Sequence, residues 1–234
     1  MIEIKKALTF SYDDGVTQDK RLIEIFNKYG LKGTFNLNSG LLGKTGELLR
    51  DGVYVNHTKI NPNDVKAVYE GHEVAVHTVT HPRLAEETDE EIIHQVEQDR
   101  GKLSDLVGYE VKGMAYPAGS RDAHVVEVVK NNTNVKYARS TKVTYTFNPS
   151  AEMFEYCGTL YHHNDWDRLF EIGEEFLKKR AETPQIMYVW GHAYEFDIFP
   201  GRWKQFEEFC EMMSGRNDIF YGTNIQVFEK FGLI

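Results

Sequence analysis

The sequence predicts an α/β fold built on parallel strands, and two patterns predict it. Short apolar runs of β type alternate with segments of helical period along most of the 234 residues. That alternation implies parallel strands joined by crossover helices, as a barrel or as a doubly wound sheet. The conspicuous polar residues Asp13, Asp14, His77, Tyr116, Arg139 and His192 all fall at the C-terminal ends of expected strands. In a parallel barrel that end carries the chemistry, so a barrel with one site is favoured. No internal repeat, low-complexity segment or linker interrupts the pattern, and residues 1–234 read as one domain.

The first strand runs from about Ile4 to Ser11 and holds the apolar run Ala7-Leu8-Thr9-Phe10. A helix from Lys20 to Tyr29 places Leu22, Ile25 and Phe26 on one face, and Gly30 ends it. Gly33 to Leu37 is a short strand. Ser39 to Ile60 shows no clear period and reads as an irregular excursion. Asn61-Pro62 opens a helix, since proline suits a first helical turn, and Gly71 stops it. The third strand leads to His77. Thr88-Asp89-Glu90-Glu91 is a capping-box pattern that starts a long helix. Its acidic cluster, Glu86 to Glu91, complements the helix dipole without any bound cation. Val111 to Tyr116 is a strand stopped by Pro117 and Gly119, and Asp122 caps the next helix. Tyr137 to Thr141 and Phe154 to Leu160 read as strands, and Asp165 to Ala181 as an amphipathic helix. A strong strand, Gln185 to Trp190, runs into Gly191-His192. A helix from Trp203 to Met213, a strand near Ile219 to Tyr221 and a last helix complete the chain.

Composition narrows the function. A net charge of -9 and a pI near 5.5 argue against nucleic acid or an anionic membrane as partner. Cys157 and Cys210 are too few for a disulfide framework. No apolar run approaches the ~20 residues of a membrane span. Met1 lies too close to the first strand to leave room for a signal peptide, so the chain as it stands reads as cytoplasmic, or as trimmed from a secreted form.

Two stretches carry the chemistry. Ser11-Tyr12-Asp13-Asp14-Gly15 sets two adjacent carboxylates at the end of a buried strand, a costly placement without a cationic partner. Glu73 to Pro82 is another β-type run, ending in His77 and His81, four apart. Asp-Asp-Gly alone is an ordinary turn, and His-x-x-x-His alone is weak, because the helical zinc motif needs Glu after the first His and Thr78 stands there. The signal is the conjunction, each element behind its own strand.

Taken in order, these stretches resemble the polysaccharide deacetylases, the fourth carbohydrate esterase family. That family's Thr-Phe-Asp-Asp-Gly is matched by Ser11 to Gly15, and its His-Ser/Thr-x-x-His by His77 to His81. Its aromatic-Pro-Gly motif is matched by Ala115-Tyr116-Pro117-Ala118-Gly119, and its strand ending in His by Val189-Trp190-Gly191-His192. The resemblance implies an incomplete, distorted β/α barrel. Two positions depart from it. Ala115 or Met114 stands where the family has an arginine that orients the catalytic carboxylate; Arg139 is either its replacement or the partner in a surface salt bridge. Asn164-Asp165-Trp166 matches the Asp-Trp motif only loosely, so Trp166 either walls the groove or merely begins a helix.

Asp14, His77 and His81 supply one oxygen and two nitrogens, a set that suits a catalytic divalent metal, zinc first and cobalt, nickel or manganese next. Successive side chains of an extended chain diverge, which leaves Asp13 free as general base. The resemblance implies an oxyanion held by the metal and the backbone N–H of Tyr116. His192 protonates the leaving amine. Tyr12, Tyr116, Pro117, Trp166 and Trp190 are candidate substrate contacts, since sugar rings stack on aromatic faces. The expected activity is metal-dependent hydrolysis of N-acetyl groups on an amino-sugar oligo- or polysaccharide. Its rivals are an O-acetyl esterase on xylan-like chains, a small-molecule C–N hydrolase, and a carbohydrate-binding pseudoenzyme.

Overall fold

The first strand, β1 (Lys6–Asp13), is buried along its whole length in the computed structural model, which describes residues 4–234. The other strands are β2 (Gly33–Leu37), β3 (Glu47–Arg50), β4 (Val53–Asn56), β5 (Glu73–Val76), β6 (Gly113–Ala115), β7 (Tyr137–Val143), β8 (Tyr156–Gly158), β9 (Leu160–Tyr161), β10 (Gln185–His192) and β11 (Ile219–Tyr221). The helices are α1 (Asp19–Lys28), α2 (Val65–Val68), α3 (Asp89–Val107), α4 (Ala123–Asn132), α5 (Trp166–Lys178), α6 (Arg202–Met213) and α7 (Asn224–Lys230). Parallel strands run in the order β8-β7-β6-β5-β2-β1-β10-β9, with β11 also paired to β1. The terminal strands of that row do not pair with each other, so the barrel is open there.

Register along β1 places the site. β10 pairs with it from Lys6↔Gln185 to Asp13↔His192. β2 takes the other edge only from Phe10↔Gly33 to Asp13↔Asn36, and β11 occupies that edge below, from Lys6↔Ile219 to Leu8↔Tyr221. Side chains alternate across a strand. Leu8, Phe10 and Tyr12 therefore join the core under the helices, whereas Ala7 joins the barrel interior with Tyr137, Tyr156, Tyr188 and Trp190. Asp13 points inward by the same period. The floor of the barrel is plugged by α7, whose Phe228 ring lies 4.9 Å from Tyr137 and 4.6 Å from Tyr156. Thr223 caps α7 in a reciprocal box with Gln226.

Two expectations need correction. The expected strand Phe154 to Leu160 is broken. A 3-10 turn, Met153–Glu155, precedes β8, and the chain then leaves β7 for β10 as β9. Thr159 makes the crossing, its N–H donating to the Tyr188 carbonyl at 2.8 Å and its hydroxyl to that of Ile186 at 3.2 Å. The excursion after Ser39 is not irregular throughout, because it contains the antiparallel hairpin β3–β4, registered from Glu47↔Asn56 to Arg50↔Val53. Its two-residue turn, Asp51-Gly52, has both φ angles positive, at 50° and 79°. Asp-Gly is favoured there because both central residues must take that conformation.

Candidate active site

Asp13 ends β1 inside the barrel, where Asn36 donates to its Oδ1 at 2.8 Å. Arg139, on β7, is fully buried and reaches across to the same carboxylate, with Nη2 2.6 Å from Oδ1 and a shorter contact to Oδ2. The guanidinium also lies over the Trp190 ring, 4.5 Å from its centroid. Burial pushes the Asp13 carboxyl up, but Arg139, His77 and His192 outweigh it and the net shift is downward. The Nε2 of His192 stands 3.9 Å from Asp13 Oδ2.

One residue on, the backbone changes hand. Asp14 has φ 83° and Gly15 φ 60°, in the left-handed region that non-glycine residues seldom occupy. The turn sends the Asp14 side chain away from Asp13 and toward the loop after β5. His77 opens that loop, with its N–H donating to Leu37 O at 2.9 Å and to Asp99 Oδ2 at 3.0 Å. Its Nδ1 lies 2.8 Å from Ala115 O, which requires Nδ1–H and leaves the Nε2 lone pair free. Thr78 (φ 67°) and His81 (φ 62°) are also left-handed, and they fold His81 back beside His77. The two Nε2 atoms lie 4.0 and 3.8 Å from Asp14 Oδ1, and one donor atom from each of the three residues lies within 4.8 Å of the others. Strain of this kind, of the order of 1 kcal/mol per residue, persists where a site requires it. Burial takes His77 down to about 4, so its ring is neutral near pH 7, as a ligand's must be. Burial raises Asp14, and the His57 hydrogen bond and Lys59 outweigh it, holding the carboxylate well below its usual range. Oxygen and nitrogen donors in this number and convergence fit a single divalent ion of the zinc type with coordination positions left over.

His192 belongs to a second cluster. After β10 the chain makes a 3-10 turn, Ala193–Asp197, that returns Glu195 under the imidazole. The buried Glu195 carboxylate lies 3.1 Å from His192 Nδ1, accepts from the His192 backbone N–H at 3.0 Å, and lies 3.1 Å from His162 Nε2. The Tyr161 hydroxyl donates to it as well, and Arg50 of β3 stands 3.7 Å away. Burial pulls His192 down, but Glu195 overcomes that and raises it to about 9. His162, deeper still, is lowered by burial in spite of the same carboxylate. Gly191 makes the cluster possible, since a Cβ there would meet His162 Cδ2 at 1.8 Å.

The expected substrate contacts are placed differently. Tyr12 is 0% exposed and packs among Phe26, Phe35 and Phe196, because the strand period turns it to the helix side. Tyr116, Pro117 and Trp190 are buried too, and Trp190 stacks on Tyr161 at 4.1 Å. Trp166 begins α5, with its indole N–H on Gln205 and Arg202 over its ring, in contact with α6. The backbone N–H of Tyr116 donates to Arg139 O at 3.1 Å, so the amide expected to receive an oxyanion is engaged in the sheet. Conversely, the sequence marks His57 only as a loop or surface histidine and Lys59 not at all, yet both face Asp14: His57 Nε2 is 3.1 Å from Oδ2 and Lys59 Nζ 3.6 Å from Oδ1. Asp99 was legible in principle. It is a carboxylate between Val96 and Leu103 on the buried stripe of α3, and such a residue must serve some buried donor.

A sequence model of the polysaccharide deacetylases matches residues 3–137. No curated protein sequence matches the chain. Among solved structures, BA3943 of Bacillus anthracis, described as a pseudoenzyme of carbohydrate esterase family 4, superposes with a TM-score of 0.60 at 16% identity over 98% of this chain and 67% of its own. A family 4 carbohydrate esterase from Streptomyces lividans, solved with acetate, gives 0.59 at 15% identity over 95% and 93%. The family 4 domain of a multidomain xylanase from the hindgut metagenome of Trinervitermes trinervoides gives 0.57 at 17% over 97% and 92%. At these identities the structural likeness speaks for the fold, an α/β barrel left open. The sequence match extends over more than half of the residues and includes both Asp13-Asp14 and His77 to His81, and on that ground the chain belongs to the polysaccharide deacetylase family.

Proposed function

We propose that the protein is a metal-dependent deacetylase that hydrolyses N-acetyl groups of an amino-sugar oligo- or polysaccharide, releasing acetate. The observation that carries this reading is the placement of Asp13, bonded to Arg139, and His192, held by Glu195, 3.9 Å apart beside three convergent metal donors. Asp14, His77 and His81 hold the ion. When bound, a divalent ion of this type polarises the acyl carbonyl and acidifies water. Asp13, kept ionised by Arg139, takes the proton from the attacking water. His192, kept charged by Glu195, gives a proton to the departing nitrogen as the C–N bond breaks. An amine is a poor leaving group and needs that proton, whereas an alkoxide of an ester needs it less; a raised His192 favours amide over ester.

Release of acetate from chitin oligomers, peptidoglycan fragments and acetylated xylan tests the reading. Turnover on the amino-sugar substrates is the expected outcome. Turnover on xylan alone converts the assignment to an O-acetyl esterase. No acetate from any of the three, at full metal occupancy, overturns it in favour of a small-molecule C–N hydrolase or a non-catalytic member.

A further inference from the structure

Lys59 is a buried cation beside Asp14 to which the proposed chemistry has so far given no role. The segment from His57 to Ile60 runs beside the turn after Asp14. Lys59 bridges Val16 in antiparallel sense, Ile60 N–H donates to Gly15 O at 2.9 Å, and Thr17 N–H to Thr58 O at 2.9 Å. These bonds fix the backbone, and the side chain, 5% exposed, is directed at Asp14. An ammonium has three donors and, once buried, loses the water that served them. Here the contacts are distant: Asp14 Oδ1 at 3.6 Å and His57 Nε2 at 3.4 Å. His57 cannot serve both neighbours. With a proton on Nε2 it donates to Asp14 Oδ2, 3.1 Å away, and offers Lys59 nothing; without one it accepts from Lys59 and turns a lone pair toward the carboxylate. Only the second tautomer offers the ammonium an acceptor on His57, and Asp14 Oδ1 lies beyond ordinary hydrogen-bond length.

The charge balance points the same way. Arg139 neutralises Asp13, and Asp14 is the carboxylate in contact with Lys59. A divalent ion on Asp14 would take up that anion and leave the ammonium facing a net positive centre. An oxygen that gains negative charge beside the ion would balance the ammonium. Deacetylation supplies it twice, first on the carbonyl oxygen as the acyl carbon becomes tetrahedral and then on the acetate released. The Tyr116 amide is not free to receive it, being bonded to Arg139 O.

We propose that Lys59 is a further substrate-contacting residue, whose ammonium donates to the oxygen that carries negative charge during deacetylation and to the carboxylate of the product. In the step itself, the water oxygen bonds to the acyl carbon as its O–H bond breaks and the proton passes to Asp13, and the carbonyl π pair moves onto oxygen, where Lys59 donates. The pair returns as the C–N bond breaks, the amine leaves with the proton from His192, and Lys59 ends as the ammonium it began as. The inference rests on the deacetylase reading, and it is tested apart from turnover.

Zinc-loaded wild type, Lys59→Met and Lys59→Arg are titrated calorimetrically with sodium acetate, with zinc content and melting temperature measured on the same samples. All three should retain zinc. Lys59→Met should bind acetate about tenfold more weakly or worse, and Lys59→Arg, which keeps charge and donors, should recover most of the loss. Equal acetate affinity in wild type and Lys59→Met at full occupancy overturns the proposal. A tighter hold on zinc in Lys59→Met with unchanged acetate binding also overturns it, and shows a counter-charge for Asp14 only. Should wild type release no acetate from any amino sugar, the deacetylase reading fails while the titration still decides whether Lys59 holds an acyl oxygen.

Discussion

A change of φ at a single position separates Asp13 from Asp14. Asp13 keeps the strand conformation and is claimed by Arg139 and Asn36. Asp14, at φ 83°, leaves the strand and joins His77 and His81. The two carboxylates should therefore respond differently to the same substitution. Asp14→Asn replaces an anionic donor with a neutral amide, so metal content and activity should fall together. Asp13→Asn leaves the proposed donors intact and removes the proposed proton acceptor, so metal should stay while the rate drops about 100- to 10,000-fold. Metal analysis beside acetate release decides it, and an Asp13→Asn protein that is empty of metal shows that the roles are reversed. Asp13 was legible in the sequence because strand alternation alone points it inward. Lys59 was not, because its place depends on a backbone pairing with Val16 that joins residues 43 positions apart, and local period carries no trace of such a pairing.

β10 and the turn behind it act as one element. The strand delivers His192 to the rim, the turn returns Glu195 beneath it, and Gly191 leaves space for His162. Glu195→Gln keeps the shape and removes the charge. Burial then acts on His192 unopposed by its nearest anion, and its pKa should fall from about 9 toward or below the ordinary 6.5. On the proposed mechanism the charged ring is the active form, so the alkaline limb of kcat/KM should move down by about a unit or more in Glu195→Gln. A profile with an unmoved alkaline limb removes Glu195 from this role. Stability follows the same sign. A group with a raised folded pKa contributes fully below about 6.5 and loses that contribution as pH climbs through about 9, a term of the order of 3 kcal/mol here. Glu195 lies three residues past the strand end, and its only mark in the sequence is its place between the aromatics Tyr194 and Phe196, both of which the fold buries. The β3–β4 hairpin was missed for another reason: its strands are four residues each, too short to show a period, and only Asp51-Gly52 marked the turn. The long helices and the buried strands, by contrast, carried period enough to be placed from sequence.

At the scale of the whole molecule, the proposed metal donors join two parts of the barrel that are distant in sequence. Asp14 follows β1, and His77 and His81 follow β5 beyond β2. A ligand that binds only the folded state stabilises it by mass action, about 4 kcal/mol at a thousand times its dissociation constant. The packing predicts a barrel that folds without that term. The apolar core beneath the helices is continuous, and α7 seals the floor without any part in the site. The chelated protein should therefore keep its far-ultraviolet circular dichroism at 25 °C and melt cooperatively. Added zinc should raise its melting temperature by several degrees, since about 1 kcal/mol moves a domain of this size by roughly 2–4 °C. Asp14→Asn and His77→Ala should lose most of that rise. Asp13→Asn should keep it, because a proton acceptor that holds no metal contributes nothing to the linkage. His81 is one-third exposed where His77 is buried, so His81→Ala should unfold close to the chelated wild type, whereas His77→Ala also leaves a cavity and melts lower. Thermal unfolding of these variants with and without zinc separates the donors from their neighbours. An equal zinc-dependent rise in Asp14→Asn and wild type would mean that the ion sits elsewhere, and an unfolded chelated wild type would mean that the barrel, contrary to the packing, is held by the metal.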